Sequence, residues 1–353
     1  MDVKSRWPEL RAAIRGLDPG YFALVMATGI ASRAMTLEGA NHLSGVLLGT
    51  GIVAYVVLVA AYAWRLAGYR RELLADASNP GRAFAFFTFA AGSNVLAARL
   101  AGDGHTPAAA SLLVIGGAAW LLLSYGIPLL LVSRHGPTPA LGGANGTWFV
   151  WVVGTQSVAV AVTSLPPPVS EAEADLAVGC WAVGVVLYLL IATMVSSALL
   201  QYPVRPAELT PPYWVFMGAT AISVLAGAQI LRLPPDPLGA GVRSVVSGIC
   251  VVLWAFGTWL IPLLLALGAW RHLLRRVPLS YEPGLWSIVF PIGMYGVGSR
   301  ELGGVLGVSW LVTLGRYEGW LALAVWAVVF LAMVGALLWR PARLAAGAPP
   351  QQG

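Results

Sequence analysis

The sequence contains a single lysine, Lys4, so no retinal-type Schiff base can form inside a membrane. Its two cysteines, Cys180 and Cys250, both fall in apolar segments, which argues against a disulfide framework or a thiolate metal site. Charge is scarce: 10% of 353 residues, against roughly 25% in a soluble domain. No Asp or Glu falls in the middle of an apolar segment, where proton-coupled carriers usually keep a carboxylate or histidine relay. The four histidines (His42, His105, His135 and His272) also lie at segment edges, with no pair at haem- or metal-ligand spacing. No metal and no cofactor is expected. The first apolar run begins near Gly20, behind a charged stretch and without a cleavage-like sequence, so no signal peptide is read there.

What is abundant is apolar surface. With 58% hydrophobic residues and a mean hydropathy of +0.77, the chain reads as an all-α protein of the cell membrane that crosses the lipid bilayer many times. The net charge of +6 comes from arginines spread between apolar segments rather than gathered in one patch, which excludes a nucleic-acid partner. Ten spans are expected, at about 20–35, 43–66, 83–101, 108–132, 146–164, 174–200, 212–231, 243–268, 284–306 and 318–339. Trp7, Leu10, Ile14 and Leu17 share one helical face ahead of them, so residues 1–17 form an interfacial segment. Residues 18–340 form the transmembrane domain and 341–353 a short tail. Placing both termini in the cytoplasm puts 15 Lys/Arg inside and 6 outside, and that bias sets the orientation.

The chain repeats itself. Asp18-Pro-Gly-Tyr-Phe, Asn79-Pro-Gly-Arg-Ala-Phe, Ala144-Asn-Gly-Thr-Trp-Phe, Thr210-Pro-Pro-Tyr-Trp and Glu282-Pro-Gly-Leu-Trp each open an odd-numbered span. Pro19, Pro80, Asn145, Pro211 and Pro283 are 61, 65, 66 and 72 residues apart, so one repeat is a hairpin of two spans, present five times. Five equivalent hairpins pack most simply around a central axis, with one helix of each facing it. The odd spans are the candidates for that face, being richer in glycine and in hydroxyl and amide side chains. They supply Thr28, Gly29 and Ser32; Gly92, Ser93 and Asn94; Gly154, Thr155 and Gln156; Gly218 and Thr220; and Ser287 and Gly293 as candidate pore-lining residues. Each could equally be a helix-packing contact.

The ninth span carries Pro291 in its middle, which removes the hydrogen bond to the Ser287 carbonyl and predicts a kink. Phe290 sits beside it, followed by Gly293, Gly296 and Gly298, so Phe290 and Pro291 are the candidate gate. Arg33, Arg99 and Arg300 end odd spans on the outer side and could form a positive vestibule. Five helix starts pointing at the axis add partial positive charge at the other end, opposed in part by Asp18 and Glu282. The balance favours an anion.

Asp18-Pro-Gly-Tyr-Phe-Ala-Leu-Val-Met-Ala-Thr-Gly-Ile30, Asn145-Gly-Thr-Trp-Phe with Gly154-Thr-Gln-Ser157, and Trp286-Ser-Ile-Val-Phe-Pro-Ile-Gly-Met-Tyr295 resemble the tellurite-resistance/dicarboxylate transporter family, which includes the plant slow-type anion channels. The similarity runs over about 18–340. It implies five hairpins in quasi-fivefold symmetry, a pore lined by the odd helices, a gating phenylalanine matching Phe290, and often a homotrimer. It implies, as substrates, malate and other dicarboxylates, sulfite, tellurite, or chloride and nitrate. An anion channel or transporter is therefore the expected function, and not an enzyme. The alternatives are an integral-membrane enzyme or redox subunit, which would need paired histidines or carboxylates at membrane depth, and a receptor without flux.

Overall fold

A computed structural model describes residues 7–133, 140–233 and 239–345. Among these residues the secondary structure is helical, with no strand. A surface helix, α1 (Trp7–Arg15), leaves Trp7 and Leu10 exposed and buries Ile14. Ten long helices follow: α2 (Ala23–Leu37), α3 (Asn41–Gly68), α5 (Phe87–Gly102), α6 (Thr106–Ser133), α7 (Phe149–Thr163), α8 (Glu171–Gln201), α9 (Val215–Ile230), α10 (Gly239–Ala269), α11 (Trp286–Leu306) and α12 (Ser309–Ala345). A short helix, α4 (Arg70–Ala77), follows α3; the charged run Arg70-Arg71-Glu72 reads as a loop in the sequence.

Four of the five repeat signatures fold alike. Each of α5, α7, α9 and α11 is preceded by a 3-10 turn, at Ala83–Phe86, Gly146–Trp148, Pro211–Trp214 and Pro283–Leu285. The prolines and Asn145 suit that position, because the first backbone N–H groups of a helix have no internal acceptor. Asn145 caps its turn, accepting from the Thr147 N–H at 2.8 Å.

Among the described residues, eight helices are long and apolar enough to cross a membrane, two fewer than the ten spans expected. The two outside that set are α2 and α11. With 15 residues, α2 is about 22 Å long, short of the roughly 30 Å hydrocarbon core. α11 has 21 residues but carries Arg300 and Glu301 near its end. α12 starts nine residues before the expected span. Ser309, Arg316 and Glu318 end the apolar pattern there but do not end the helix. Left-handed Gly307, at φ 70°, turns the chain from α11 into it. Residues 1–6 and 346–353 of the expected terminal segments, and His135, lie outside the described residues.

The two helices of each repeat pack as a hairpin: α2 on α3, α5 on α6, α7 on α8, α9 on α10 and α11 on α12. The first helices also contact one another, α2 to α5, α5 to α7, α7 to α9, α9 to α11, and α11 back to α2. These are the buried helices: in the membrane-crossing stretches of α5, α7 and α9, 83% of residues are buried, against 11–28% in their hairpin partners. We call the first set inner and the second outer.

An aromatic hydrogen bond recurs from each outer helix to the inner helix of the next repeat. The Tyr55 hydroxyl pairs with that of Ser93 at 2.9 Å, and Trp120 Nε1 donates to Thr155 Oγ1 at 2.9 Å. Trp181 Nε1 donates to the Ser223 carbonyl at 3.0 Å and Trp254 Nε1 to Ser299 Oγ at 2.8 Å. Trp326 Nε1 donates to Thr28 Oγ1 at 2.9 Å, which ties the last repeat to the first.

Candidate functional site

The inner helices enclose a cavity at each of their ends. At the signature end it measures about 510 Å³ and is lined by all five signatures, including Pro19, Gly81, Asn145, Pro212 and Pro283. At the opposite end it measures about 30 Å³, and again all five inner helices contribute: Ile30, Val95, Val160, Leu225 and Met294 are among its walls. That volume suffices for a water molecule and little more.

Phe290 lies between the two. On α11, Ser287 lines the large cavity, and Met294 and Val297 line the small one. Phe290 is three residues after Ser287 and four before Met294, hence on the same helical face. It is 1% exposed. α11 continues as helix through Pro291, whose ring fills a notch on α9: a Cβ on Gly218 would lie 2.7 Å from Pro291 Cγ.

The other residues singled out in the sequence divide by what they touch. Ser287 lines the large cavity, and Gly29, Arg33 and Arg99 line the small one. The remaining glycines are points of close approach between inner helices. A Cβ on Gly154 would meet Phe87 at 2.9 Å, one on Gly293 would meet Ile30 at 2.8 Å, and Gly92 faces the Phe22 carbonyl and Val25. The polar side chains point towards outer helices. Thr28, Ser93 and Thr155 receive the recurring aromatic hydrogen bonds.

Asn94, Gln156 and Thr220 sit in glycine notches of their own hairpin partners. A Cβ on Gly116 would lie 2.3 Å from Asn94 Oδ1, on Gly184 2.4 Å from Gln156 Nε2, and on Gly257 2.4 Å from Thr220 Oγ1. Asn94 also donates to Ser157 Oγ at 2.9 Å and Gln156 to the Trp181 carbonyl at 3.1 Å. Ser32 Oγ contacts the Ser44 hydroxyl at 3.0 Å and accepts from Arg99 Nε at 2.9 Å.

Each of the three arginines has a carboxylate partner. Arg33 lies 3.5 Å from Glu301, which also pairs with Arg232. Arg99 pairs with Asp103 one turn on, and Arg300 with Glu38, which Arg316 also reaches at 2.7 Å. Five arginines thus face three carboxylates, leaving a small positive excess rather than three free charges. Glu301 and Glu38 are 3% and 4% exposed, and neither is singled out by the sequence pattern.

At the signature end Asp18, Glu208 and Glu282 line the cavity with Arg82 alone among the arginines. Five helix N-termini at about half a charge each bring roughly two and a half positive charges, close to what that acidic excess removes. The same count at the narrow mouth sets five helix C-termini, about two and a half negative charges, against the side-chain excess of two positives, so both mouths are nearly neutral and the positive charge of the narrow one sits on its arginines. Among the described residues, no group of three or more His, Cys, Asp or Glu could hold a metal ion.

A family model described as voltage-dependent anion channel matches residues 16–334. Uncharacterized membrane proteins of two Mycobacterium tuberculosis strains, CDC 1551 and H37Rv, are each 53% identical over 148 residues, 42% of this chain and 75% of theirs. An uncharacterized transporter of Methanocaldococcus jannaschii is 20% identical over 333 residues, 91% of this chain and 95% of its own length. The match over nearly all of the helical domain makes the chain a multi-pass membrane protein that belongs to the voltage-dependent anion channel family.

Proposed function

We propose that the protein passes small anions along an axis between its five inner helices, arranged quasi-fivefold, and that Phe290 closes this path in the conformation described. One observation carries the reading. The same five helices line a cavity at both ends, and Phe290 stands between the two on a face shared with both linings. An apolar ring in a narrow passage stops ions by bulk and by excluding water, and it needs no charged gate.

On this reading, Ser287, Gly29, Arg33 and Arg99 meet the permeating ion, while Thr28, Ser32, Ser93, Asn94, Thr155, Gln156 and Thr220 hold the helices in register around it. Arg300 acts at a distance through the field of the outer mouth. The substrate class is chloride and nitrate, sulfite, tellurite, or malate-like dicarboxylates, and the assembly is a homotrimer of the kind the family resemblance implies. The test is anion flux into liposomes holding the purified protein, measured across that series for wild type and Phe290→Ala. At least one anion should move faster than in protein-free liposomes; no flux of any from folded samples of both would sink the proposal.

The signature end faces the cytoplasm, together with both termini, as the arginine bias of the loops requires. The native Cys180 and Cys250 are buried, so labelling reports on introduced cysteines. In intact cells an impermeant reagent should modify a cysteine placed at Glu173 and spare one placed at Arg71. The reverse pattern would overturn the orientation.

A further inference from the structure

A second cavity, of about 410 Å³, lies between the fourth and fifth hairpins, beside the wide mouth and outside the proposed path. Its walls come from residues 209–214 ahead of α9, the end of α10 and the turn after it, the 277–282 loop and the start of α11. α10 ends in a π-helical turn, Trp270–Leu274. Such turns widen a helix, redirect its side chains, and often mark functional positions. Here Arg271 is one of the cavity-lining residues, with 11% of its side chain exposed.

Its guanidinium is only partly satisfied. Nη1 donates to the Leu209 carbonyl at 3.0 Å, and Nη2 lies 3.9 Å from the Glu282 carboxylate, beyond hydrogen-bond distance. Nε is buried and has no acceptor. A charged donor left unpaired is costly, and Nη2, which is not closed off as Nε is, can be satisfied by an oxygen acceptor inside the cavity.

The surroundings say what kind of acceptor fits. Leu264, Leu267 and Ile288 form an apolar wall, which a small hydrated anion would leave uncovered. The turn itself is amphipathic: Leu273, Leu274 and Leu279 are 76%, 74% and 80% exposed beside Arg271, His272, Arg275 and Arg276. Exposed leucines next to arginines belong at the boundary between acyl chains and headgroups. Three arginines of this segment, Arg271, Arg275 and Arg276, stand against Glu282, the one carboxylate lining the cavity, so the charge there favours a negatively charged headgroup.

We propose that this cavity binds an anionic phospholipid, its phosphodiester accepting from Arg271 Nη2 and an acyl chain lying along Leu264, Leu267 and Ile288. The site concerns binding and is independent of whether anions pass through the protein.

The test is native mass spectrometry of the detergent-solubilised full chain titrated with dioleoylphosphatidylglycerol, with dioleoylphosphatidylcholine and inorganic phosphate as the other arms. Phosphatidylglycerol should bind more tightly than phosphatidylcholine, and millimolar phosphate should not displace it. Arg271→Gln removes a charge-assisted contact and should weaken binding about ten- to a hundredfold. Leu267→Trp fills the apolar wall without touching the charge and should weaken it too, so the proposal stays testable if Arg271→Gln folds poorly. Arg205→Gln, at an exposed arginine outside the cavity, should bind as wild type. Undiminished binding by both cavity variants, an equal loss in Arg205→Gln, or displacement by inorganic phosphate would each overturn it.

Discussion

The two helices of each hairpin invert the rule that buried means apolar. The outer helices are the more hydrophobic and the less buried, at 11–28% of their membrane-crossing stretches, whereas the inner helices carry the hydroxyls, amides and arginines and are buried at 83% in α5, α7 and α9. Lipid is the solvent for the outer set, and it is as apolar as leucine, so no hydrophobic force drives one helix onto another. What holds the inner helices is close approach at glycine and hydrogen bonds sent across from the outer set. The difference teaches that most polar side chains inside this bundle are fastenings, and that the small cavity between the inner helices is walled mainly by aliphatic groups.

The largest effect expected from breaking this pattern is at Phe290, where the two kinds of interior meet. If its ring blocks the axis, Phe290→Ala should raise anion flux per folded molecule at least tenfold, since each 1.4 kcal/mol taken off a barrier is a factor of about ten. Phe290→Leu should be intermediate. If the ring is only packing, its removal would cost about 3–5 kcal/mol and yield less protein with no gain in flux. The signs are opposite, so flux normalised to folded protein decides. Wild-type flux from well-folded Phe290→Ala would place the barrier elsewhere.

The next effect separates inner from outer glycines. A Cβ on Gly146 would fall 2.3 Å from backbone atoms of Pro212 and Tyr213, where the third and fourth signatures touch, and that backbone cannot step aside without moving a helix start. Gly179 on α8 and Gly248 on α10 have nothing within 4 Å. Gly146→Ala should cost about 1–3 kcal/mol or prevent assembly. Gly179→Ala and Gly248→Ala should stay within about 0.5 kcal/mol of wild type. Thermal unfolding in detergent reads both, and equal shifts for the two classes would contradict the division into inner and outer helices.

Much of this architecture is legible in the sequence because the repeat is carried by residues with a backbone role. Pro80, Asn145, Pro211 and Pro283 mark helix starts by chemistry that does not depend on neighbours, and the hairpin period follows from them. Which side chains face the axis is less legible. The sequence marks Thr28 and Thr155 by residue type alone, yet a hydroxyl on an inner helix can turn to the axis or to an outer tryptophan, and the outcome depends on Trp326 and Trp120, which are far away in sequence. Ser287, Met294 and Val297, which line the two cavities, lie on one helical stripe that mixes polar and apolar members, so the stripe is a better guide than residue type. The carboxylates of Glu38 and Glu301 carry no signal in the sequence because they sit at span ends, where acidic residues are ordinarily solvated.

The smallest effect concerns the arginines of the narrow mouth. Arg33, Arg99 and Arg300 are paired with Glu301, Asp103 and Glu38, so their worth to a passing anion is the excess of the whole cluster and not three full charges. Neutralising all three to glutamine turns an excess of two positives into one negative. That field is screened over about 30 Å at 0.01 M salt, but over about 3 Å at 1 M. Flux should therefore fall a few-fold at 0.01 M and hardly change at 1 M. A triple variant also leaves Glu301 with Arg232 alone, Glu38 with Arg316 alone and Asp103 without its arginine, which can loosen the fold and lower flux at every ionic strength. Replacing Glu38, Asp103 and Glu301 by glutamine in the same background separates the two causes. It removes the three carboxylates and leaves this cluster with only Arg232 and Arg316, again an excess of two positives. If the field is what matters, this sixfold variant regains the wild-type salt dependence. If the ion pairs act only as struts, it remains as impaired as the triple, by the same factor at both salt concentrations.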